Sequence, residues 1–226
     1  MDLKQTIMSG VDRNEIYRYL SAKEAVDDSW QTYVAAVLKE TGELILPNQL
    51  LIVDEIEIDD GVVTLLHNDF KLISNQFAAH VKGGTKIWVA AATLGHLIER
   101  KIKYYFTVNP TRAVVMDACG SALIESYCDV IEATLRVDHP EIKSFTSRFS
   151  PGYGDLSLAS QRQIFEHFDI SKRTGIHLSD GDLMLPQKSV VFLIADRQTQ
   201  TPQPKGCQHK CASCTLKHCI YRTEGM

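Results

Sequence analysis

The sequence is short of several things, and each shortage closes off a class of protein. Among its 226 residues there is no apolar run of the ~18 residues that a membrane-spanning helix needs. The start, MDLKQTIMSGVDRNEIYRYL, lacks the apolar stretch between a basic beginning and a small-residue cleavage site that marks a secretory signal. No membrane partner and a cytoplasmic location are therefore expected. Basic charge is not in excess: 24 Lys and Arg face 28 Asp and Glu, for a net charge of -4. A nucleic-acid partner, which leaves a basic footprint, is not expected. No internal repeat is visible, and strands and helices do not alternate as regular βαβ units. His67, His80, His96, His139, His167 and His177 are scattered and make no nucleophile–base arrangement with a serine or cysteine. They read as structural or surface residues.

What is present is ordinary globular usage, 44% hydrophobic and 23% charged, enough for one large domain or one domain with a small appendage. Trp30, Tyr33, Val34, Val37 and Leu38 recur at helical spacing and predict an amphipathic helix over 27–40. In LLIVDEIEIDDGVVTLL, Ile52, Ile56 and Ile58 alternate with acids, and Asp60-Gly61 signals a tight turn, so a β-hairpin is predicted. TKIWVAAAT (85–93) and KSVVFLIA (188–195) predict buried strands. LGHLIERKIKYYF and residues 111–135 predict helices, the second with Val115, Ala118, Cys119, Ala122, Ser126, Val130 and Leu135 on its inner stripe. Residues 161–168 predict a further helix, with Asp155 or Ser157 as N-cap, and Gly175 reads as a helix stop. The mixture predicts an α+β fold, a twisted antiparallel or mixed sheet flanked by helices. The predicted division is a domain over 1–195, a polar, proline-bearing linker over 196–206, and a tail over 207–226.

The tail is the chemically dense part. Four of the chain's six cysteines, Cys207, Cys211, Cys214 and Cys219, fall within it. A reducing compartment argues against disulfides, and four thiolates around a CxxC suit a tetrahedral site for zinc or an iron–sulfur cluster. From residue 197 onward five Lys and Arg face a single Glu224, so the tail is basic and the body acidic. Cys119 reads as a small core residue; Cys128 is undecided.

The other candidate is RFSPGYGDLSL, residues 148–158. Pro151 pre-sets a turn, and Gly152 and Gly154 permit positive φ or close backbone approach. Arg148 offers a fork for a carboxylate and Tyr153 a flat ring with a hydroxyl. Upstream, Asp117, Ser121 and Glu125 share one polar face of the long helix.

From residue 85 to 195, these segments resemble the activation domain of cobalamin-dependent methionine synthase. The resemblance rests on VAAATLGHLIERKI, MDACGSALIESYCDVIE, RFSPGYGDLSLASQRQIF and TGIHLSDGDLMLPQKSVVFLI, in order. It implies an α+β, C-shaped fold that binds S-adenosylmethionine above cobalamin held by a partner protein. The implied activity is reductive methylation of cob(II)alamin to methylcobalamin, with one electron from a donor. The implied ligand contacts are Arg148 on the carboxylate, Ser150 through its backbone, Gly152 at the bend, Tyr153 along the ligand, and Glu125 near its cationic end. The partner would be a cobalamin-binding methionine synthase or another corrinoid protein. An iron–sulfur tail would suit an electron port, and a zinc tail a structural element. The family's aspartate early in the site and its tyrosine-containing final segment have no counterpart here. Those departures favour the alternative, a non-catalytic module that caps a corrinoid protein.

Overall fold

Seven consecutive buried residues, Ile87 to Thr93, run through the middle of the protein. A strand buried along its length must be covered on both faces. The computed structural model describes residues 2–21 and 27–197. These form α1 (Leu3–Ser9), α2 (Arg13–Tyr19), α3 (Asp28–Leu44), β1 (Asn48–Asp59), β2 (Val62–Leu65), β3 (Phe70–Ile73), α4 (Asn75–His80), β4 (Lys86–Thr93), α5 (Leu97–Val108), α6 (Pro110–Asp138), β5 (Ser144–Phe145), α7 (Ala159–His167), α8 (Ile170–Thr174), β6 (His177–Leu178), β7 (Met184–Leu185) and β8 (Ser189–Arg197). Six strands make one sheet in the order β3-β2-β1-β4-β8-β5, and β6 and β7 form a separate ribbon. Every pairing is antiparallel, so the fold is α+β as expected.

Alternation along β4 divides the interior in two. Trp88, Ala90 and Ala92 join Phe192 and Ile194 of β8 in a core closed by α1, α2, α3, α5 and α6. Ile87, Val89 and Ala91 join Val191, Leu193 and Ala195 in a second core, closed by α4, α7 and α8. The second core continues under β1, β2 and β3; no buried residue of those strands belongs to the first.

Local chemistry explains the element ends. Asp60 (φ 40) and Gly61 (φ 79) make the two-residue loop between β1 and β2, with positive φ at both positions as a right-twisted hairpin favours. Asn109 caps α6 by accepting from the Arg112 amide at 3.1 Å, and Pro110 follows at the first helical position. Gly175 ends α8 in the left-handed conformation.

Two sequence-based expectations are corrected. Neither Asp155 nor Ser157 is the N-cap of α7; Leu158 is, without a side-chain cap. Asp155 serves α4 instead, accepting from the amides of Asn75 (3.0 Å) and Gln76 (3.1 Å) and from the Ser74 hydroxyl. Secondly, β8 runs through Asp196 and Arg197, past the position where the linker was expected. Asp196 belongs there because its buried carboxylate accepts from the Thr85 amide (2.6 Å), the Lys86 amide (2.7 Å) and the Thr85 hydroxyl (3.0 Å). Among the described residues, no helix is long and apolar enough to cross a membrane.

Candidate ligand site

The segment from Arg148 to Leu156 is fixed to the sheet and then turns back on itself. Phe149 exchanges two backbone hydrogen bonds with Leu193 of β8, at 2.9 and 2.7 Å. Beyond it the Ser150 carbonyl accepts from the Tyr153 amide (3.1 Å), and the Gly152 amide donates to the Leu156 carbonyl (2.8 Å). Gly152 and Gly154 have φ of 89° and 56°, conformations that favour glycine. Leu156 is buried and anchors the turn, and Asp155 ties it to α4. The Ser74 hydroxyl, with the Gln76 and Asn75 amides, holds the Asp155 carboxyl below its ordinary range. The turn therefore has a defined shape, with Tyr153 at its tip, 56% exposed.

Arg148 points to α6. Its guanidinium lies 3.2 Å from each of Glu125, Asp129 and Glu132, and over the Phe192 ring at 5.9 Å. Those acids recur at i, i+4 and i+7, one face of the helix. Burial works against the charge on Arg148, but Cys128 and the carboxylates outweigh it and raise its pKa further. The Arg148 side chain keeps 21% of its surface accessible, and about half of Glu125 is exposed. A carboxylate could reach the arginine, and a cation the acids. An ammonium–carboxylate pair on one small molecule would match both.

The structure thus brings Arg148 and Glu125 into contact and sets Ser150, Gly152 and Tyr153 on the adjoining turn. The Ser150 carbonyl and the Gly152 amide already serve the turn itself. A Cβ at Gly152 would meet only the Leu158 side chain, at 3.6 Å, so the bend is open on its outer side. Asp117 and Ser121 belong to a separate station one to two turns away. The buried Lys188 ammonium lies 2.8 Å from the Asp117 carboxylate and donates to the Ser121 hydroxyl at 2.9 Å. Sequence reasoning missed Asp129 and Glu132. Their four- and three-residue spacing after Glu125 was the available signal.

The remaining candidates are structural. His80 donates to the Ser147 carbonyl at 2.8 Å and packs on Phe149, which helps fix the start of the turn. Cys119 and Cys128 are buried, and burial pushes both thiols up to about 12. Among the described residues, no group of three His, Cys, Asp or Glu could hold a metal ion. Cys207, Cys211, Cys214 and Cys219 lie outside the described residues. A concavity of about 300 Å³ lies elsewhere, beside α7 and α8. Its cations are engaged: Arg162 with Asp182 at 2.6 Å, and Lys172 with Asp169 at 3.0 Å.

No protein-family model matches the chain, and no curated protein does. Among solved structures, the crystal structure of the MetH reactivation domain bound to AdoHcy superposes with a TM-score of 0.68. The match covers 88% of this chain and 78% of that one, at 12% sequence identity. The chain has the fold of the MetH reactivation domain.

Proposed function

We propose that this protein binds S-adenosylmethionine at Arg148 and Glu125 and serves as a free-standing reactivation partner of a cytoplasmic cobalamin-dependent methionine synthase or a related corrinoid protein. The observation that carries this reading is the 3.2 Å meeting of one guanidinium and one carboxylate at the start of a turn whose tip is the exposed Tyr153. The likeness to a reactivation domain bound to AdoHcy supports it. Arg148 takes the ligand's carboxylate through a charge-assisted pair. Glu125 faces the ammonium, and the Tyr153 ring covers the ligand and excludes water. The bend at Gly152 leaves room for the ligand to lie close to main chain, with Ser150 at its side. S-adenosylmethionine supplies a methyl group on a sulfonium. The partner's cob(II)alamin receives it, with one electron from a separate donor, to give methylcobalamin and S-adenosylhomocysteine. No side chain of this protein need act as base or nucleophile; its work is positioning.

The tail extends the proposal. Cys207, Cys211, Cys214 and Cys219 hold one metal centre, zinc or an iron–sulfur cluster, on the domain that ends with β8. Metal analysis and visible absorption after purification without oxygen distinguish the two. A metal-free, colourless tail removes the centre altogether.

A second reading has its own support. Arg148 already has three carboxylate neighbours, so the site is electrostatically served without a ligand. On that reading the protein caps a corrinoid protein and does not bind S-adenosylmethionine. Calorimetry with S-adenosylmethionine separates the two. Mixing the protein with a cob(II)alamin-loaded synthase, reductant and S-adenosylmethionine then tests the reaction. Absence of the methylcobalamin spectrum counts against the first reading.

A further inference from the structure

We propose that the outward face of β1, β2 and β3 is the docking surface for the chain's own cysteine-bearing segment, residues 198–226. On this side of the sheet five helices cover β4 and β8, but the helical layer stops there. Leu51 and Val53 pair with Ala90 and Trp88 and so share their face, yet both are exposed. The register puts Ile73, opposite Val62 and in line with Asp59, on the same side, 75% exposed, and Leu66, exposed in the turn after β2, donates its amide to the Glu55 carbonyl. Glu55 and Glu57 continue the face along β1. Apolar residues held open on a sheet that is elsewhere covered on both sides mark a contact surface.

The register shows which occupant reaches it. β8 is antiparallel to β4, and β4 to β1, so β8 and β1 run the same way. Ala195 is level with Ile87, and Ile87 with Asp54. The chain therefore leaves Arg197 heading the way β1 heads through Glu57 and Asp59. From β8 to β3 is four strand positions, about 19 Å. The nine residues before Cys207 extend to ~30 Å, more than enough.

Chemistry agrees with reach. Residues 198–226 carry four Lys and Arg against one Glu, and meet Glu55, Glu57 and Asp59, which Lys71 and Lys86 only partly offset. The segment also holds Leu216, Ile220 and Tyr221, too few apolar residues to form a core of their own. The exposed apolar residues of the sheet offer them one. The docked segment would give this half of the sheet its second layer, several strand positions from Arg148.

The test uses the full chain and an amine-reactive cross-linker, followed by mass spectrometry and amide exchange. Lys71 and Lys86 should link to Lys205, Lys210 or Lys217 of the same chain. The pair Glu57→Lys with Ile73→Asp should remove those links and speed exchange over 207–226 by at least about tenfold, with β4 and β8 unchanged. Val53→Ser with Glu55→Lys is a second pair, should the first not fold. Links that survive both pairs overturn the proposal, as do tail links to another region. So do links between isotopically distinct copies, which would make a second molecule the occupant. None of these outcomes depends on S-adenosylmethionine, so this inference and the proposed function stand or fall separately.

Discussion

Arg148 and Glu125 face each other at 3.2 Å across the gap between the 148–156 turn and α6. An amino-acid ligand has to part them, giving each a new partner of opposite charge: the ligand's carboxylate for Arg148 and its ammonium for Glu125. Arg148→Ala should then weaken S-adenosylmethionine binding about a hundredfold, since a charge-assisted contact is lost and the acids are left unneutralised. Glu125→Gln should weaken it about tenfold, and the double variant should cost less than the product. Calorimetry reads all three, and unchanged affinity in Arg148→Ala would remove the site.

Asp54 should set an acid limit on stability. It is buried on β1 and accepts from the His67 amide (2.9 Å), the His67 ring (2.8 Å), the Asn68 amide (3.0 Å) and the Asn68 side chain (2.7 Å). Burial pushes the carboxyl up, but these donors outweigh it and bring it down to about 2 from 3.8. A depressed carboxyl stabilises the fold above its unfolded value and loses that effect as pH falls toward the folded one. The contribution is about 2 kcal/mol above pH ~5, vanishing below pH ~2. Urea unfolding of Asp54→Asn against the natural chain should show the gap closing over that window.

Thiol labelling should divide the six cysteines into two groups. Cys119 and Cys128, pushed up to about 12 by burial, carry almost no thiolate at neutral pH. The native protein treated with a chelator should label at Cys207, Cys211, Cys214 and Cys219 only. Zinc or a cluster restored before labelling should protect those four. Equal labelling with and without metal would end the four-thiolate proposal.

Asp196→Ala should cost about 2–3 kcal/mol, because two main-chain amides and a hydroxyl lose a buried acceptor. The loss should appear in denaturant unfolding without a change in S-adenosylmethionine affinity, since the Asp196 carboxylate serves Thr85 and Lys86, three residues along β8 from the Leu193 that pairs with Phe149.

The parts of the fold legible in the sequence are those decided locally. The unbroken apolar runs around Ile87–Thr93 and Ser189–Ala195 announce strands with both faces covered. Asp60-Gly61 announces a hairpin, and Gly175 a helix end. Residues that act over distance are illegible in the same way. Asp155 looks like a cap for the helix just after it and in fact serves α4, some eighty positions earlier. α1 and α2, seven residues each, bury one isoleucine apiece, Ile7 and Ile16, too little for a period to show. At the candidate site, Arg148 and Glu125 were legible because a family resemblance named them. Asp129 and Glu132 share Glu125's helix face by their spacing, but only the fold, by bringing Arg148 to that face, shows what they do.

β4 and β8 wall both cores at once, with Trp88 and Phe192 on one side and Val89 and Leu193 on the other. Neither helical layer can melt away and leave those strands with a dry second face. The two halves of the interior are thus bound into one cooperative unit: heat or denaturant should take them apart together, in a single transition.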